Sequence, residues 1–98
     1  MKPFRWSPEK NDVLKKERGV SFESMVVAIE GGDLLDILVY SNEQKYPRQR
    51  IFVVAHDSYA YLVPFVEEDD YFFLKTVIPS RKASKDYLNP GADDAHPD

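Results

Sequence analysis

The stretch "GVSFESMVVAIEGG" (residues 19–32), followed almost at once by "LLDILVY" (34–40), contains the change of periodicity on which the fold turns. In the first, Phe22, Met25, Val26 and Ile29 recur at i, i+3, i+4 and i+7, the spacing that lines one face of a helix. Ser21 stands at the N-cap, and Val20 and Met25 occupy the N′ and N4 positions of a hydrophobic staple. Gly31-Gly32 supplies the stop. The second is a short apolar run rich in β-formers and reads as a strand.

The same reasoning extends in both directions. Upstream, Ser7-Pro8 reads as the N-cap and first position of a helix running to about Arg18, where Gly19 offers a left-handed end. Its interior is mostly polar apart from Val13 and Leu14, so its stability must come from docking, with Phe4 and Trp6 just before it as candidate anchors. Downstream, the loop "SNEQKYPRQ" leads to "RIFVVA" (50–55), and "HDS" connects it tightly to "YAYLVPFV" (59–66). Pro64 lacks a ladder donor and predicts an edge, bulge or distortion there. "EEDD" (67–70) turns the chain into "YFFLKTVI" (71–78), and a short helix over roughly 80–88 follows, capped by Ser80. Short connections make neighbouring strands antiparallel. The expectation is therefore one α+β domain over 1–88: two N-terminal helices, a four-stranded antiparallel meander sheet and a short C-terminal helix. The helices cover one sheet face and leave the other partly open. Residues 89–98, "NPGADDAHPD", read as a disordered acidic tail.

Composition narrows the chemistry. Ninety-eight residues, 43% of them hydrophobic, suit one modest core. There is no cysteine, hence no disulfide or thiolate site. His56 and His96 are too few and too far apart to suggest zinc, so no metal and no cofactor are expected. The start lacks a signal-peptide core and no run approaches a membrane span, so a cytoplasmic protein with no membrane association is expected.

The net charge of -4 hides a division. All thirteen Lys and Arg fall in residues 1–18, 45–50 and 75–85, the last holding Lys75, Arg81, Lys82 and Lys85 with no acid among them. Three of these cations follow Ser80, at a helix start where the dipole favours anions. Two readings fit: the wet side of a terminal helix, or a phosphate site offsetting the repulsion. Trp6 is an aromatic anchor or a base-stacking platform. "EEDD" and His56 read as a solvated turn and a loop histidine. No Gly-rich phosphate loop and no nucleophile elbow is present.

Taken together, Phe4, Trp6, Lys10, Asn11 and the run Gly19-Val20-Ser21-Phe22-Glu23 resemble the opening of BrnT-type toxins of bacterial toxin–antitoxin systems. Arg50 matches an arginine that opens a later strand in that family, and Ser80-Arg81-Lys82-Ala83, with Tyr87 after it, matches its closing segment. Two positions differ: Arg18 stands where the family usually has histidine, and Lys75 where its last strand commonly has arginine. The resemblance implies a RelE-like fold and a metal-independent endoribonuclease that inhibits translation. It also implies a small DNA-binding antitoxin as partner, in a higher-order complex that represses its own operon. In such an enzyme the RNA 2′-hydroxyl attacks the adjacent phosphate. Arg50 and Arg81 would hold that phosphate, Lys75 or Lys82 would transfer a proton, and Trp6, Lys10 and Tyr87 would contact the RNA. A non-catalytic interaction or nucleic-acid-binding module is the alternative.

Overall fold

Ser7 accepts a hydrogen bond from the Lys10 amide and starts α1 (Pro8–Arg18), which Gly19 ends at φ 67° with its N–H on the Lys15 carbonyl. Ser21 caps α2 (Phe22–Ala28) reciprocally with Ser24. In the computed structural model, which describes residues 1–40, 42 and 44–89, α2 does not run intact to the glycine pair. It widens into a π-helical turn (Ile29–Asp33), and Gly32 at φ 96° makes the reversal. The chain then enters β2 (Leu34–Val39), β3 (Gln49–His56), β4 (Tyr59–Glu67) and β5 (Phe72–Leu74) as an antiparallel meander. Asp57 and Ser58, both at positive φ, close the two-residue turn between β3 and β4.

Among the described residues the fold is mixed α+β with three helices, and the sheet has six strands where four were expected. Phe4–Arg5 forms β1, which pairs in parallel with β5 at the edge. The apolar run 71–78 is also not one strand. It breaks after Leu74 and resumes as β6 (Ile78–Pro79), against a different part of β4. Pro64 explains the break. The β3–β4 register runs through Ile51↔Pro64 without a shift, so nothing is lost on that side. The Pro64 carbonyl accepts from Lys75 N at 2.8 Å on the β5 side, where the proline nitrogen has no proton to give in return. Residues 75–77 leave the ladder at that point.

Alternation sorts the strands into two faces. On the front face Phe52, Val54, Val63, Phe65 and Leu74 pack under Leu14, Phe22, Met25 and Ile29 of the helical layer. Phe52 and Phe65 stack at 3.9 Å, with Phe72 edge-on to both. The back face carries a smaller cluster around Val53 and Ala60, covered by α3 (Arg81–Ala83) and its π-helical continuation (Ser84–Leu88). The C-terminal helix thus closes part of the face that the sequence left open. Of the expected tail, residues 90–98 lie outside the described residues.

Asn11 is one of two buried polar residues among those described, and it joins the two long helices. Its Oδ1 accepts from the Phe22 amide at 2.8 Å, and its Nδ2 donates to Glu23 Oε1 at 2.7 Å. Replacing Asn11 with Ala would strand the buried Phe22 N–H, and the expected loss is about 1–3 kcal/mol of unfolding free energy. Urea denaturation measures it. Asn11→Asp should fail to rescue at neutral pH, because it sets a carboxylate against Glu23. A loss within about 0.5 kcal/mol, as for an ordinary surface change, would count against this role.

Candidate nucleic-acid interface

The C-terminal helix is fastened to β4 at a single residue. Ser80 N donates to the Ala60 carbonyl at 3.0 Å, and Ala60 N donates to Ser84 Oγ at 2.8 Å. The Ser84 hydroxyl in turn donates to the Ser80 carbonyl at 2.8 Å. Ala83 is buried against the back cluster, so the basic residues beside it are turned outward. Ser80 Oγ takes the Ala83 amide. Lys82 Nζ is 3.1 Å from Asp86 Oδ2, which answers the local excess of cations from within the helix. At the far end the Tyr87 hydroxyl donates to Asp36 Oδ2 at 2.6 Å, tying the helix to β2.

Beyond this helix the back face is only half covered. Leu38, Ile51 and Pro64 form a row across β2, β3 and β4, and Val66 and Phe73 continue the surface, all half-buried. Leu38 and Leu62 meet Lys82, Asp86 and Tyr87 in a groove of about 170 Å³ between sheet and helix. Cations rim this surface. Lys75 follows front-facing Leu74 and is exposed on the β5 margin. Arg5, opposite Phe73, lies over the Tyr71 ring at 4.8 Å. Arg81 and Lys82 stand on the helix, where with Lys85 and Asp86 they enclose a shallow cavity of about 410 Å³. Half-exposed apolar and aromatic groups with a cationic margin can hold a single strand, bases against the sheet and phosphates at the rim.

The sequence candidates therefore divide. Arg81, Lys82 and Tyr87 share the C-terminal helix at the back, and Lys75, in the irregular segment after β5, lies farther along that margin. Its amide is bonded to Pro64 where that of Ser80 is bonded to Ala60, four residues or about 13 Å along β4. Arg50 does not join them. It shares the front face with Phe52 and Val54 and sits 3.9 Å from Glu67. It opposes Phe65, whereas Ser80 is tied to Ala60, five residues or about 17 Å along β4. One phosphate cannot be held by Arg50 and Arg81 together. Trp6 stacks on Phe22 at 5.7 Å as part of the front core, which is its anchoring reading. Lys10 lies in the first turn of α1, in the same front layer. Arg18, in the position where the resemblance leads one to expect histidine, donates to the Val77 carbonyl and holds the irregular segment 75–77 against α1.

The turn 67–70 is more than a solvated tip. Lys2 Nζ reaches Glu67 at 2.9 Å and the Glu68 carbonyl at 2.7 Å, and Arg48 reaches Asp69 at 3.0 Å. The Lys2 hydrogen bond, backed by the charges of Lys2, Arg50 and Arg48, holds the Glu67 carboxyl below its usual range. The basic segment 45–50 is thereby largely answered by acids. Among the described residues, no group of three or more His, Asp or Glu is arranged to hold a metal ion. None of the described helices is long and apolar enough to cross a membrane.

Asp36 is the functional neighbour that sequence reasoning missed, although a lone carboxylate inside "LLDILV" was its signal. The Tyr87 hydrogen bond first, and the Ile37 amide second, lower its pKa, while the same bond raises that of Tyr87. The contribution of Asp36 is full above the ordinary carboxylate range and is lost as pH falls through its lowered value. That of Tyr87 is full below the ordinary phenol range and is lost as pH rises through its raised value. In Tyr87→Phe the Asp36 carboxyl should titrate at a higher pH than in the wild type, read by carboxyl-carbon NMR. An unchanged Asp36 titration would show that the bond is not kept in solution. Separately, Ser84→Ala leaves the buried Ala60 N–H unmatched and should cost about 1–3 kcal/mol by urea denaturation. Compared with known protein families, curated proteins and solved structures, the chain matches none.

Proposed function

We propose that this chain is a BrnT-like toxin with a RelE-like fold, a metal-independent endoribonuclease that lays single-stranded RNA across the back of its sheet. The observation that carries the reading is a half-covered sheet face with exposed Arg81 and Lys82 on the helix that borders it and exposed Lys75 farther along its margin. The residue resemblance supports it independently, because Ser80-Arg81-Lys82-Ala83 is part of the matched segment. In this reading the RNA 2′-oxygen attacks the neighbouring phosphorus and the bond from phosphorus to the 5′-oxygen breaks. A cyclic phosphate and a 5′-hydroxyl result. Arg81 and Lys82 stabilise the charge that grows on the phosphoryl oxygens. Asp86 takes the proton of the attacking hydroxyl, and the Lys75 or Lys82 ammonium supplies one to the leaving oxygen. A cytoplasmic location and a DNA-binding antitoxin that covers this face belong to the same proposal.

A second reading, RNA binding without cleavage, draws on one feature: Lys82 and Tyr87 both already have carboxylate partners. Purified protein with an end-labelled single-stranded RNA separates the two. Cleavage should yield cyclic-phosphate ends, and Arg81→Ala and Lys82→Ala should each slow it by about 10²–10³. Arg50→Ala, on the other face, should stay within about twofold of wild type, less than 0.5 kcal/mol. Binding should weaken with salt, and Arg81→Ala should flatten the log–log slope by about 0.7. Binding without product selects the second reading. Binding abolished by Arg50→Ala but indifferent to Arg81→Ala and Lys75→Ala would overturn the placement.

A further inference from the structure

The front layer holds a second concave surface, away from the cationic margin. Between α2 with its π-helical turn and the β3–β4 hairpin lies an open groove of about 810 Å³. Its apolar lining comes from Val27, Ala28 and Ala55, and its charged lining from Glu23, Asp33 and Asp57, with no lysine or arginine among the lining residues. Val27 is 70% exposed although it lies on a helix whose other apolar residues face the core. An aliphatic side chain left in water beside a groove is the kind of anchor point that a partner covers.

We propose that this groove docks a basic segment of another protein, one in which lysine and arginine flank an apolar side chain. The apolar residue would sit against Val27, and the cations would meet Glu23, Asp33 and Asp57. Charge complementarity selects this occupant. The groove is lined by three carboxylates and no lysine or arginine, its remaining titratable side chain being His56 at 3.4 Å from Asp57. Such a rim repels an acidic or phosphorylated segment and attracts a basic one. A second copy of this chain fits less well. Its cationic segments, 1–18, 45–50 and 75–85, contribute no residue to the groove, so docking any of them there would join unlike surfaces and propagate instead of closing. The surface is separate from the proposed RNA face, and either could be occupied without the other.

The test uses the full chain and a short synthetic peptide in which lysine and arginine flank a leucine, with a glutamate-substituted peptide as control. Backbone-amide NMR should place the basic peptide's shifts at residues 23–33 and 55–58. Val27→Lys and Asp33→Asn, both at exposed positions, should each weaken binding about tenfold or more. The glutamate peptide should not bind. Shifts centred on the acidic turn 67–70, or undiminished affinity in both variants, would overturn the proposal. So would concentration-dependent self-association that Val27→Lys abolishes, since it would assign the groove to a second copy. RNA cleavage by Val27→Lys should equal that of wild type, so failure here and failure of the ribonuclease reading remain distinguishable.

Discussion

The side-chain amide of Asn11 is the polar contact on which the front layer depends. α1 is mostly polar and buries little of its own surface apart from Leu14. It is held by what its ends and its one inward amide can reach. Asn11 satisfies the Phe22 N–H at the start of α2, so Phe22 enters the core with its backbone paired and Trp6 can stack on its ring. Glu23 takes the other half of the amide, which lowers its pKa, with Asn11 as the largest cause. Among the described residues no buried side-chain polar atom lacks a partner. The motif residue Asn11 and the adjacent pair Phe22-Glu23, one helix further on, are therefore explained by structure before any chemistry is asked of them.

The C-terminal helix repeats this logic on the other side. Ser84 does for the back face what Asn11 does for the front: a buried hydroxyl pairs a backbone group that packing would otherwise strand. Because the helix is short, this fastening and the Tyr87–Asp36 bond add to the packing of Ala83, Tyr87 and Leu88 on Val53 and Ala60 in fixing its position. Its cations are consequently held at a defined place along the sheet. Two of the three basic segments of the sequence have other work. Residues 45–50 face the acidic turn, and within 1–18 Lys2 and Arg18 close contacts with segments 67–68 and 77. Much of what looked like one basic face is structural pairing.

Caps and breakers were the most legible features. Ser7, Ser21, Ser80 and Gly19 act locally, within a turn of where they stand. Pro64 does not make the edge, bulge or distortion expected in its own strand: β4 is an inner strand that passes it without a shift, and the missing donor tells on the adjacent strand instead. The strand β1 was not legible, because two residues carry no period and Phe4–Arg5 pairs with a partner nearly seventy positions away. The run 71–78 was misleading for a different reason. Its residues are apolar apart from Lys75 and Thr76, and Pro64 on the adjacent strand decides where pairing stops. The separation of Arg50 from Arg81 could have been seen in advance. Arg50, Phe52 and Val54 share parity, so the face that takes Phe52 into the helical core takes Arg50 as well.

Layering accounts for the distribution of charge that a net value of -4 conceals, with α2 in front of the sheet and the C-terminal helix behind it. The acids of α2, its turn and the β3–β4 hairpin collect at one end of the front layer, while Lys75, Arg81 and Lys82 stand at the back. The sheet keeps these fields apart because the two helical layers that carry them pack on its opposite faces. A polyanion approaching this molecule meets attraction at the back and repulsion at the hairpin end, and a basic segment meets the reverse. The two concave regions, one proposed for RNA and one for a cationic peptide, are thus selective by sign before any contact forms. A one-residue slip of β3 or β4 would carry the inward residues outward and exchange the faces. The continuous register from Gln49↔Val66 to His56↔Tyr59, closed by the two-residue turn at Asp57 and Ser58, is what prevents it.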